Sequence, residues 1–80
     1  MQDEEILTRI NRLVEEEHEL LQKEERGEIT DPGSRRRHEL EVALDQCWDL
    51  LRQRRARREF NQNPDEAHVR PPEIVEHYKQ

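Results

Sequence analysis

Apolar residues in the first part of the chain recur at helical spacing: Ile6, Leu7, Ile10, Leu13, Val14, Leu20 and Leu21. Ile6, Leu13 and Leu20 repeat every seven residues, as do Leu7, Val14 and Leu21, and Ile10 sits one turn from its neighbours. That period predicts a helix over about 3–25 and not a strand. Asp3 is the expected cap, with Glu4 and Glu5 suited to the positive end of the helix dipole. Gly27 is placed to end the helix in a left-handed conformation. Asp31 before Pro32 reads as the cap of a second helix with proline in its first turn.

The second helix is predicted over about 32–60. Leu40, Leu44, Cys47 and Leu51 follow the alternating four- and three-residue spacing of a heptad seam, flanked by Ala43, Trp48 and Leu50. Farther on, the seam positions are Arg54 and Arg58, so apolar contact is expected to fade there. Asn61 and Asn63-Pro64 mark the stop. A loop as short as 26–31 makes the two helices antiparallel neighbours. The tail, 61–80, starts as an extended proline-rich segment, and a short helix is expected over about 72–79, docked through Ile74, Val75 and Tyr78. The predicted architecture is all-α: a coiled-coil-like hairpin over 1–60, then the tail.

Charge sharpens this picture. Charged residues make up 42% of the chain and apolar ones 30%, a balance suited either to disorder or to long helices with a narrow apolar seam. The periodicity selects the helices. Residues 1–29 hold ten acids against four bases, residues 30–60 hold eight bases against six acids, and 61–80 nets −2. An acidic first helix and a basic second one are expected to face each other. The preferred register sets Ile6 by Leu51, Ile10 by Cys47 and Leu13 by Leu44. It also sets Glu5 against Arg52, Arg12 against Asp45 and Arg9 by Trp48, with Glu16 facing Glu41 as the exception. Glu24, Glu25 and Glu28 offset Arg35, Arg36 and Arg37, which the dipole of their own helix disfavours.

The apolar stripe is wider than a two-helix seam requires. Leu7, Val14, Leu21 and Trp48 form a shoulder, which the tail, a second copy or another protein is expected to cover. Arg52, Arg54, Arg55, Arg57 and Arg58 form a candidate basic patch able to grip phosphates. Against that use, the arginines surround the helix, lack interleaved aromatic residues and have acids at hand.

Other constellations carry less. Glu15-x-x-His18 has the spacing of helix-borne metal ligands, but its phase points it to solvent. Glu17 lies on the seam near the loop, where its stem can follow Leu40. Cys47 is expected to be a buried structural thiol, its pKa raised by Asp45 and Asp49. His38, His68 and His77 are scattered. No glycine-rich phosphate loop or catalytic set is present, and two helices enclose no useful pocket, so no enzyme, cofactor or metal is expected. A single cysteine and the lack of a signal-peptide core or membrane span suggest the cytoplasm.

The run from Glu39 to Arg58, centred on Leu44-Asp45-Gln46-Cys47-Trp48-Asp49-Leu50-Leu51-Arg52, resembles the central motif of a family of short bacterial proteins. That family is found chiefly in actinobacteria and known only as a domain of unknown function. Leu13-Val14-Glu15-Glu16-Glu17-His18, Asn63-Pro64-Asp65-Glu66-Ala67 and Val69-Arg70-Pro71 are similar to it as well. The resemblance covers nearly the whole chain and implies a complete small protein of the bacterial cytoplasm. It implies no activity, ligand or site. The reading that follows is a non-enzymatic helical interaction protein, self-associating or bound to a protein partner, with a nucleic-acid-associated protein as the alternative.

Overall fold

A computed structural model describes residues 2–75. Two long helices, α1 (Asp3–Glu25) and α2 (Asp31–Glu59), pack antiparallel; a 3-10 turn (Pro64–Glu66) and a short helix, α3 (Pro72–Val75), follow and both lie against α2. No strand occurs among the described residues. The remainder of the expected 72–79 helix, with His77 and Tyr78, lies outside them.

Both long helices end alike. At α1 the N–H of Glu28 donates to the carbonyl of Lys23 and that of Gly27 to Glu24, a Schellman closure with Gly27 at φ 70°. At α2, Gln62 donates to Arg57 and Asn61 to Arg58, with Asn61 at φ 58°; asparagine is among the few non-glycine residues at ease there.

The starts differ from expectation. The α1 cap is Gln2, whose backbone N–H donates to Glu5 Oε1 at 3.1 Å, so Asp3 is free to act elsewhere. The α2 cap is Thr30, which accepts from the Gly33 N–H at 3.2 Å; Asp31 moves into the first turn, where its charge suits the dipole.

Ile6, Ile10, Leu44, Cys47 and Leu50 form the buried core, with Leu13, Leu51 and Ala67 packed against it. The Asp3–Arg54 ion pair fits the preferred register, but Leu50, expected to flank the seam, is buried in the core while Leu51, expected on it, is only partly buried. Near the loop, Arg37 Nη1 reaches Glu24 at 2.6 Å. Glu16, expected to face Glu41 as the unfavourable exception, is held instead by Arg36, whose Nη2 donates to it at 3.1 Å. Contact also persists past Leu51, where charged seam positions led us to expect it to fade. Arg54 is 3% exposed and continues the seam as an ionic layer.

Candidate interaction surface

Each shoulder residue follows a seam residue by one position: Leu7 after Ile6, Val14 after Leu13, Leu21 after Leu20 and Trp48 after Cys47. One step along an α-helix turns the side chain by about 100°. Antiparallel helices viewed from one end turn in opposite senses, so all four emerge on the same flank of the hairpin. There they stay open: Leu7 is 45% exposed, Val14 45%, Leu21 36% and Trp48 46%.

The tail occupies the other flank. Gln46 and Gln53 each precede a buried seam residue, Cys47 and Arg54, so they emerge opposite the shoulder. Both capture the tail's backbone: Gln46 Nε2 donates to the Arg70 carbonyl at 3.1 Å and Gln53 Nε2 to that of His68 at 2.9 Å. Val75 is 1% exposed while Ile74 is 44% exposed. The described tail is therefore a strap along α2: Ile74 and Val75 do not cover the shoulder, and Tyr78, the third residue expected to take part, lies outside the described residues.

Two charged knots fasten the strap. Asp49 is fully buried and accepts from Arg70 through both oxygens, the Nε contact being 2.8 Å, and from Gln53 Nε2 at 2.9 Å. The Arg70 hydrogen bonds hold its carboxyl below the ordinary aspartate value; burial opposes them and Gln53 adds to them. In the second knot Arg54 donates from Nε to Asp3 and from Nη1 to the Pro64 carbonyl at 3.1 Å and Asp65 Oδ1 at 3.0 Å. Arg58 Nη2 also holds Asp3, at 2.9 Å. Arg58 and then Arg54 lower the Asp3 carboxyl.

The basic run is thereby divided. Arg54 is buried and cannot belong to an exposed patch, Arg58 is tied to Asp3, and Arg57 reaches Glu66 at 3.4 Å. Arg52 and Arg55 line a shallow groove with Trp48 and Leu51 at the edge of the shoulder. The sequence reading missed both knots. Their signals were Arg54 one heptad beyond Cys47, and the Asp49-x-x-x-Gln53 spacing on the face of α2 turned away from α1.

Cys47 is buried and free, and burial raises its pKa. The charge that acts on it is that of Arg9, which opposes the rise; the expected contribution of Asp45 and Asp49 is not the cause. Glu15 and His18 are exposed, with the His18 ring against Gln22 at 3.3 Å. Among the described residues no group of three or more metal-ligating side chains is assembled, and no helix is long and apolar enough to cross a membrane.

The fold and surface define a strapped helical hairpin with one open apolar flank. The chain belongs to the family described as "Protein of unknown function (DUF2630)", whose model matches residues 2–80. It is 46% identical over 77 residues to a Mycobacterium bovis protein, "Uncharacterized protein Mb0922c", covering 95% of this chain and 88% of that protein. The Mycobacterium tuberculosis protein "Uncharacterized protein Rv0898c" matches with the same identity and coverage. No solved structure matches the chain.

Proposed function

We propose that this chain is a non-enzymatic helical interaction protein that binds another protein surface through Leu7, Val14, Leu21 and Trp48. The observation that carries the reading is the placement of the strap: among the described residues the tail covers one flank, and the apolar flank is half exposed. Large apolar side chains exposed together on one flank and rimmed by charge mark a protein contact. The grooves lined by Glu4, Glu5, Thr8, Arg9 and Arg12, and by Trp48, Leu51, Arg52 and Arg55, each lie along a single helix, a poor basis for a water-excluding reaction site. We place the protein in the cytoplasm, where a lone thiol such as Cys47 stays reduced.

The alternative, a nucleic-acid-associated protein, is weakened by the commitment of Arg54, Arg57 and Arg58 to Asp3, Asp65 and Glu66. The test is a native pull-down with wild type and Val14→Glu (V14E), with and without nuclease. Proteins that survive nuclease and are lost on V14E support the shoulder. Material that nuclease removes and V14E does not affect would overturn the reading in favour of the arginine run.

A further inference from the structure

We infer that the shoulder is covered by a second copy of the chain, in a two-fold pair that sets α1 of each hairpin on α2 of the other. This rests on the interaction reading above and specifies its partner. The Asp3–Arg54 and Glu24–Arg37 pairs fix which residues of the two helices lie at one level along the hairpin. At the open end, Glu4 on α1 is level with Arg52 and Arg55 on α2. In the middle, Leu7 and Val14 bracket the level of Trp48. Toward the loop, His18 is near the level of Glu41. The flank is thus acidic then apolar along one helix and basic then apolar along the other.

Such a face complements itself under one operation only. A two-fold axis parallel to the hairpin keeps every level in register and exchanges the helices. Glu4 then meets the partner's Arg52 and Arg55, Leu7 and Val14 meet the partner's Trp48, and His18 meets the partner's Glu41. An axis across the hairpin would instead lay α1 on α1, although residues 1–29 hold ten acids against four bases. It would also bring Arg35, Arg36 and Arg37 onto the Arg52–Arg58 run. In the favoured pair each contact occurs twice, as an isologous interface demands, and every helix is antiparallel to both neighbours. The molecule measures 49 × 24 × 17 Å, so its broad side has room for the roughly 800 Å² per partner of a stable interface.

The test is sedimentation equilibrium of the full chain, with emission of Trp48, its one tryptophan, followed over the same concentrations. Wild type is expected to dimerise with a blue shift of that emission. V14E should raise the dissociation constant at least about tenfold at unchanged helicity, because Val14 is half exposed in the single chain. Glu4→Arg and Arg55→Glu should each weaken self-association. Mixing the two variants should give association tighter than either variant alone, since positions 4 and 55 are then opposite in sign at both contacts, while Arg52, unchanged in both chains, keeps it short of the wild type. A wild type that stays monomeric up to about 1 mM, a V14E variant that still dimerises, or a mixture no tighter than its parents would overturn the pairing. A monomeric wild type whose lysate partner is lost on V14E would remove self-pairing and leave the interaction function standing; loss of both results would remove both.

Discussion

Replacing Arg70 with methionine (R70M) keeps the aliphatic stem and removes the main counter-charge of a fully buried carboxylate, leaving only the weaker influence of Arg52. Asp49 would retain only the Gln53 amide among its hydrogen-bond donors described above. Removing one partner of a buried pair costs about 3–5 kcal/mol when the survivor cannot reach water. Here an escape exists, because lifting the strap rehydrates Asp49, so the cost cannot exceed the free energy that docks the strap. That docking comprises burial of Val75, worth about 1.5–3 kcal/mol, and the Gln46–Arg70 and Gln53–His68 hydrogen bonds, worth about 1 kcal/mol each. The entropy of ordering the segment opposes these gains. The expected loss therefore falls short of that ceiling of about 3–5 kcal/mol and is read as a shift of the urea midpoint by far-ultraviolet circular dichroism. The double variant Asp49→Leu with R70M should recover most of it, since replacing both members of a buried pair by apolar groups is often neutral. A loss below about 0.5 kcal/mol, within the range of ordinary surface changes, would refute the reasoning. So would a double variant in which the two losses simply add.

Arg54→Lys should cost about 1.5–3 kcal/mol in the same assay, because one ammonium cannot reproduce the fork that serves Asp3, Pro64 and Asp65; exposed Arg55→Lys should change the midpoint little. The Asp3 and Asp49 carboxyls lie below their ordinary 3.8 in the folded chain. Their contribution is thus present at neutral pH and lost as pH falls through 3.8 toward the folded values. Urea midpoints should therefore hold steady above about pH 5 and drop in acid, with the drop reduced in Asp3→Asn; an undiminished drop in that variant would exclude Asp3 as a contributor. Cys47, buried and with a raised pKa, should resist iodoacetamide in the folded protein and react fully in urea, as followed by mass spectrometry. Rapid native alkylation would place the thiol outside the core.

Helix period was legible because seven-residue repeats such as Ile6, Leu13 and Leu20 leave little choice of secondary structure. The hairpin followed from Gly27 and Pro32, and the charge split between the helices selected its register. The caps were misread by one residue, since Gln2 and Asp3, or Thr30 and Asp31, are all competent candidates and only backbone geometry decides between them. Arg54 was misread for a deeper reason. A charged seam residue marks the end of contact unless acids from two distant segments converge on it, and here they come from positions 3 and 65. Asp49 was similarly opaque, because its partner Arg70 is 21 positions away across a segment without periodicity. The shoulder itself was visible in the Leu7, Val14 and Leu21 repeat, but its openness depended on which flank the tail would take.

The chemistry of the two flanks accounts for that choice. An extended segment carries backbone carbonyls and N–H groups that must be satisfied wherever it docks. The flank that bears Gln46 and Gln53 offers side-chain donors at the spacing the strap's carbonyls use, and Asp49 accepts the arginine that anchors it. The opposite flank presents leucine and valine, which give an extended backbone nothing to bond to, and Trp48, whose indole N–H is a single donor. A helix has no such need, since its backbone is satisfied internally and its apolar stripe is what seeks cover. The hairpin therefore sorts its occupants by polarity: a strap where there are amides, and a helical surface where there are none. Exchanging Gln46 and Gln53 for leucine would remove the distinction, which makes these two residues, remote from the shoulder, the reason the shoulder remains open.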